Sequence, residues 1–136
     1  MMKFWVKGKP QSPVGNEPLF KAVLFSGGGH WIPEDVRFYE NYFELWGWRK
    51  ATRFDYSQIS RVEEVMVMWG RGMQALAGRV FMTDGRKPLV VPLAPRPRGM
   101  TFGFRKMDSK LDVDLPTWLE QKLGNDRYIR RPVHTG

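Results

Sequence analysis

The sequence predicts a mainly β domain: a small, partly open antiparallel barrel of six or seven strands, capped by one short C-terminal helix. Three observations carry this. Apolar residues recur at every second position through most of the chain, the spacing that lays one face of a strand on a core. Turn signals separate these runs, Asp84-Gly85 the strongest of them. A single helix signature stands near the end, in DLPTWLEQKLG. Strands followed by one terminal helix fit a small barrel or sandwich whose open end the helix covers. The 136 residues, 42% of them hydrophobic, are the size of one domain. Residues 1–18 read as an N-terminal arm, 19–124 as the barrel with its helix, and 125–136 as a basic C-terminal tail.

The elements follow in order. Residues 19–25, LFKAVLF, read as a buried strand, and the glycines of FSGGGHWIPE then turn the chain. Residues 36–46, VRFYENYFELW, read as a tight hairpin turning at Glu40-Asn41, because asparagine tolerates left-handed backbone. Residues 48–54 continue as another strand. In FDYSQIS, Asp55 and Ser57 can bond nearby backbone and start a turn, which Tyr56 and Ile59 anchor to the core. Residues 59–69, ISRVEEVMVMW, are a long strand expected to run from the rim into the core. Gly70-Arg71-Gly72 reverses it into residues 75–83. After Asp84-Gly85 the chain returns as RKPLVVPL. Pro88 and Pro92 share a parity there, so both missing N–H groups lie on one edge, and this strand borders a sheet or a gap. Residues 94–103 form a loop rich in proline and glycine, and 101–106 a last strand. Thr117 and Glu120 are placed as a capping box for the helix, with Asp114 at its positive end and Gly124 as its stop.

Charge supplies the functional lead. The net charge is +8, and between Arg86 and Lys106 there are six basic residues and no acidic one. These are Arg86, Lys87, Arg96, Arg98, Arg105 and Lys106, with Phe102 and Phe104 among them. Arg127, Arg130 and Arg131 mark the tail. Such a balance favours acidic partners. Arginines interleaved with aromatics can track a nucleic-acid backbone or rest on an anionic membrane. The plainer alternative is a solvated loop over core phenylalanines. Trp31, in the glycine loop, is the tryptophan expected to be exposed for a contact.

Other chemistries find no support. A phosphate-cradling loop needs a lysine and a following helix, whereas Gly27-Gly28-Gly29 is followed by His30, Trp31, Ile32 and Pro33. The chain has no cysteine and two isolated histidines, His30 and His134, so no metal site is expected. Asp114 more simply starts the helix than joins Asp112 in chelation. Glu63 and Glu64 point to opposite faces of a strand. No nucleophile, base and orienting group can be assembled, so the reading is noncatalytic and without cofactor. Without cysteines, a reducing cytoplasm is the expected setting. The N-terminal MMKFWVKGKPQSP does not read as a signal peptide.

The order of VRFYENYFELW, FDYSQISRVEEV, a strand, TDG, a strand and LPTWLEQKL resembles the bacterial PH-like (pleckstrin-homology-like) domain family, over residues 19–124. Phe54, Tyr56, Ser57, Ile59, Val62 and Glu63 carry the segment most similar to that group. The resemblance implies a seven-stranded, partly open barrel plugged by the helix, and a binding or assembly module. Phosphoinositide-binding relatives carry basic residues in the first hairpin loop. Here residues 26–34 contain no lysine or arginine, which argues against inositol phosphates. The expected function is contact with a protein partner or self-association, through the edge strand at 88–92 and the basic loop 94–106. Arg86, Lys87, Arg96, Arg98, Phe102, Arg105, Lys106 and Trp31 are the candidate contact residues. Peripheral binding to anionic lipids through the same loop, and nonspecific single-stranded nucleic-acid binding, are the alternatives.

Overall fold

The computed structural model describes residues 5–6, 9–10, 17–24, 35–47, 50–69, 72–99 and 103–131. Strands β1 (Trp5–Val6) and β2 (Lys9–Pro10) pair antiparallel as a small separate ribbon. The chain then builds four antiparallel strands in succession. Alternation buries Phe20 and Ala22 on β3 (Phe20–Val23), and Val36 and Phe38 on β4 (Asp35–Phe38). A two-residue turn leads to β5 (Tyr42–Trp46), with Tyr39 N–H donating to Tyr42 O at 2.8 Å. The turn sits at Glu40-Asn41 as expected. It closes without a left-handed residue, however, since no described non-glycine residue has positive φ. The following strand, β6, spans Ala51–Asp55.

The other face of this sheet is polar and aromatic. Arg37, Glu44 and Arg53 lie opposite one another across β4, β5 and β6. The Glu44 carboxylate is 1% exposed, and it accepts bonds from Trp46 Nε1 at 2.9 Å and Arg53 Nη2 at 3.0 Å. A buried carboxylate is tolerable only when so partnered.

A 3₁₀ turn at Tyr56–Gln58 re-aims the chain into β7 (Ile59–Trp69). Gln58 Oε1 accepts from the Asp55 N–H, and Tyr56 donates its hydroxyl to Tyr39 O, which is the anchoring the sequence implies. β7 pairs antiparallel with β8 (Met73–Met82), and β8 with β9 (Leu89–Pro92). Gly85 has φ 81° at the turn, but pairing resumes only at Val80 and Leu89, so this hairpin is wider than its Asp-Gly signal implies.

Two further strands complete the sheets. β10 (Phe104–Lys106) joins β3, giving a five-stranded sheet ordered β10-β3-β4-β5-β6. After helix α1 (Leu115–Leu123), β11 (Tyr128–Ile129) pairs parallel with β7, giving a four-stranded sheet ordered β11-β7-β8-β9. The architecture is thus mainly β, with two sheets and one short C-terminal helix. The sheets are not closed into a continuous barrel. They share one core, from Phe20, Phe38 and Phe43 through Val62, Val80 and Leu93, and α1 covers it with Leu115, Trp118, Leu119 and Leu123.

Three expectations change. Asp114 caps α1, its carboxylate accepting from Thr117 N–H at 3.1 Å, so Thr117 already lies inside the first turn. Glu120 instead accepts from Arg130 at 2.6 Å. Residues 125–131 are no free tail, because Tyr128 is 2% exposed and donates to Glu64 Oε2 at 2.6 Å. Finally, β7 does not end in the core. β11 covers it only at Val62 and Glu63, and β9 meets β8 only from Ala77 to Val80. Beyond those pairings β7 and β8 run on as a ribbon, leaving Met66 39% and Met68 64% exposed.

The passage between the sheets is the tightest point. Leu93 N–H donates to Leu76 O, still in the four-stranded sheet. Immediately afterwards Phe104 N–H donates to Ala94 O and Arg96 N–H to Phe104 O, each at 2.9 Å, so Pro95 bridges parallel to β10 in the five-stranded sheet. Gly103 permits this approach. Its φ is 117°, and a Cβ there would lie 2.4 Å from Arg96 Cα. Gly103→Ala is expected to lower stability by about 3 kcal/mol or more, through strain and backbone displacement. Gly99→Ala, at φ 80° with nothing within 4 Å, is expected to cost about 1–2 kcal/mol. Urea unfolding of both variants measures the difference, and equal losses would refute the crossing.

Candidate anion-binding site

The same crossing builds an open cavity of about 700 Å³. One wall is the segment from Pro95 to Gly99, and the other is β10. Arg96 and Arg98 stand at alternate positions, directly after Pro95 and Pro97. The prolines hold φ near that of extended chain, and the chain turns at Arg98-Gly99. Arg96 N–H is already used on Phe104 O, and neither proline has an N–H. Donors for an anion must therefore come chiefly from side chains.

β10 supplies them from the opposite wall. Phe104 turns inward, 5% exposed, with its ring edge-on to Phe20 at 5.7 Å. Arg105 and Lys106 are exposed and line the cavity. Lys106 Nζ is steadied by Leu111 O at 2.7 Å, a neutral acceptor that leaves the ammonium charge uncompensated. Among the described residues Arg98 and Arg105 form no ion pair. Asp114 is the one acid among the described residues of the cavity wall, and it is occupied in capping α1. Arg96 and Arg105 also border a smaller hollow of about 140 Å³ beside Lys21 and Asp35.

The structure divides the predicted basic segment in two. Arg96, Arg98, Arg105 and Lys106 come together. Arg86 does not join them: it pairs with Asp84 at 2.9 Å and lies 4.9 Å from the Phe54 ring centre. Lys87 is exposed in the same wide turn and lines neither cavity. Trp31 and Phe102 lie outside the described residues, as do the three glycines at 27–29 and both histidines.

Arg127 and Arg130 of the C-terminal segment serve as structural ties. Arg127 reaches Tyr56 O at 2.6 Å and Ile59 O at 2.5 Å, holding the carbonyls of the 3₁₀ turn. Arg130 bonds Glu120, and hydrogen bonding between the two holds the Glu120 carboxyl below its ordinary pKa and raises that of Arg130. Glu64 accepts from Tyr128 and from the Arg131 N–H, while Glu63 pairs with Arg61 on the opposite face. Burial, then the hydrogen bond to Glu64, pushes the Tyr128 hydroxyl well above its usual pKa. Among the described residues no three His, Asp or Glu side chains are grouped to hold a metal ion, and no helix is long and apolar enough to cross a membrane.

Two contributors were missed in the sequence. Asp114 reads only as negative charge at the start of the helix, and its place on the cavity wall follows from how α1 docks. Gly103 gives no local signal that another backbone passes above it. No protein family, curated protein or solved structure matches this chain.

Exposed cations held by neither carboxylate nor core contribute little to folding. Arg98→Ala and Arg105→Ala are therefore expected to shift unfolding free energy by less than about 0.5 kcal/mol in urea titrations. A loss above about 2 kcal/mol would mean these residues serve the fold.

Proposed function

We propose that this chain is a noncatalytic binding module of the PH-like type, a partly open barrel in the finer description, which docks an acidic segment of a partner protein on the loop 94–106. The observation that carries this reading is the convergence of Arg96, Arg98, Arg105 and Lys106 on one open cavity. Like charges gathered at one site repel one another, and an acidic ligand relieves that cost.

The edge strand plays a smaller part than the basic loop. Leu93 N–H faces β8, so the even-numbered positions of β9 face the open edge. Pro88 and Pro92 offer no donor there, leaving the Val90 N–H alone between them. A partner strand adding to that edge would find one donor where a ladder needs several. Contact therefore falls to side chains. Base stacking is disfavoured because Phe104 is committed to the core.

The test uses a fluorescein-labelled peptide of alternating Glu and Ser, phosphatidylserine vesicles and a single-stranded oligonucleotide against the same protein. Peptide binding that weakens with salt, and about tenfold or more in Arg98→Glu/Arg105→Glu, is the expected result. Binding of vesicles or oligonucleotide without the peptide would replace this reading with one of the other two.

Self-association is the second reading, favoured by Met66 and Met68 on the ribbon beyond β11. Residues 65–69, VMVMW, carry no charge or proline to guard an edge. If the ribbon joins two copies, light scattering gives a dimer mass that Met68→Lys converts to the monomer. A monomer at all concentrations would end this reading.

A further inference from the structure

Building on the docking reading above, we infer that the group this cavity selects is a phosphoryl group carried on the partner's acidic segment. Charge is the first argument. Arg98, Arg105 and Lys106 face, among the described residues, a single acid, Asp114, across the cavity. One carboxylate entering would leave part of that surplus in place. A phosphate monoester brings about −1.5 to −2 at pH 7.

Donor geometry is the second. Arg98 and Arg105 stand on opposite walls without an ion pair among the described residues, so both guanidinium forks are available to a ligand. A fork presents two parallel N–H donors, and a phosphoryl group has three acceptor oxygens to receive two forks at once. A carboxylate offers two forks one oxygen fewer and a single negative charge.

The walls supply the third argument. Phosphate loops bind with backbone N–H groups at a helix start. Here Pro95 and Pro97 remove donors from one wall, and the start of α1 is occupied by Asp114. What remains is recognition by an arginine cluster, the mode of domains that read phosphorylated segments. A cavity of about 700 Å³ has room for a phosphorylated side chain and its neighbours.

The experiment titrates full-length protein with two labelled peptides of one sequence, Glu-rich around a central serine that is either phosphorylated or not. The phosphopeptide is expected to bind at least about tenfold tighter. Its affinity should rise between pH 5.5 and 7.5 as the phosphate takes its second charge, near pKa 6, while that of the unphosphorylated peptide stays flat. Arg98→Ala and Arg105→Ala should each abolish the preference with the unfolding midpoint unchanged. Equal binding of the two peptides would overturn the inference and leave the docking reading standing. Binding of neither would overturn both. Inorganic phosphate, phosphatidylserine vesicles and an oligonucleotide serve as other phosphate sources. If any of these binds better than the phosphopeptide, the assignment to a partner protein is wrong.

Discussion

Two backbones meet at Gly103 with no space for a side chain between them. A Cβ there would stand 2.4 Å from Arg96 Cα and 2.7 Å from Arg96 N. Much else follows from this contact. It lets the chain leave the four-stranded sheet at Leu93 and touch β10 one residue later. It brings the free borders of the two sheets together on one side of the core. It also turns Phe104 inward on Phe20 and leaves Arg105 outward. The cavity and its charges are consequences of the fold's joint rather than decorations on a loop.

The charges themselves fall into two sets. Arg53, Arg127 and Arg130 hold a buried carboxylate, two carbonyls of a 3₁₀ turn and the end of the helix respectively. The loss of Arg53 or Arg127 would be felt in stability, since each satisfies groups that water reaches poorly, whereas the Arg130–Glu120 pair is exposed. Arg98 and Arg105 satisfy nothing inside the described molecule. Cations held close together on a rigid frame are a poor solution for solubility, which is better served by dispersed charge. Their concentration on the two walls of one hollow is what gives the net charge a functional reading.

Much of this was legible in the residues. Pro88 and Pro92 on one parity called for an edge or a gap, and β9 is the edge of its sheet. The turn at Glu40-Asn41, the anchoring of Tyr56 and the single helix all follow from local signals. The basic segment was visible as composition, but composition does not separate Arg86, paired with Asp84, from Arg98 across the cavity from Arg105. That separation depends on pairings distant in sequence. The same is true of residues 125–131, which read as a tail because two residues of parallel strand leave no periodic pattern. Met66 and Met68 read as core because apolar strands normally end inside, and only the short reach of β9 and β11 leaves them outside.

The central claim is that the crossing is a fixed part of the fold, so that the basic cavity exists before any partner arrives. Amide hydrogen exchange on the isolated protein tests it directly, at the Arg96 and Phe104 N–H groups. Both are bonded across the crossing at 2.9 Å. Protection comparable to that of Leu19 and Tyr39, which are bonded around the β3–β4–β5 meander, is the expected result. Exchange of Arg96 and Phe104 at the rate of an open loop, while Leu19 and Tyr39 remain protected, would contradict it.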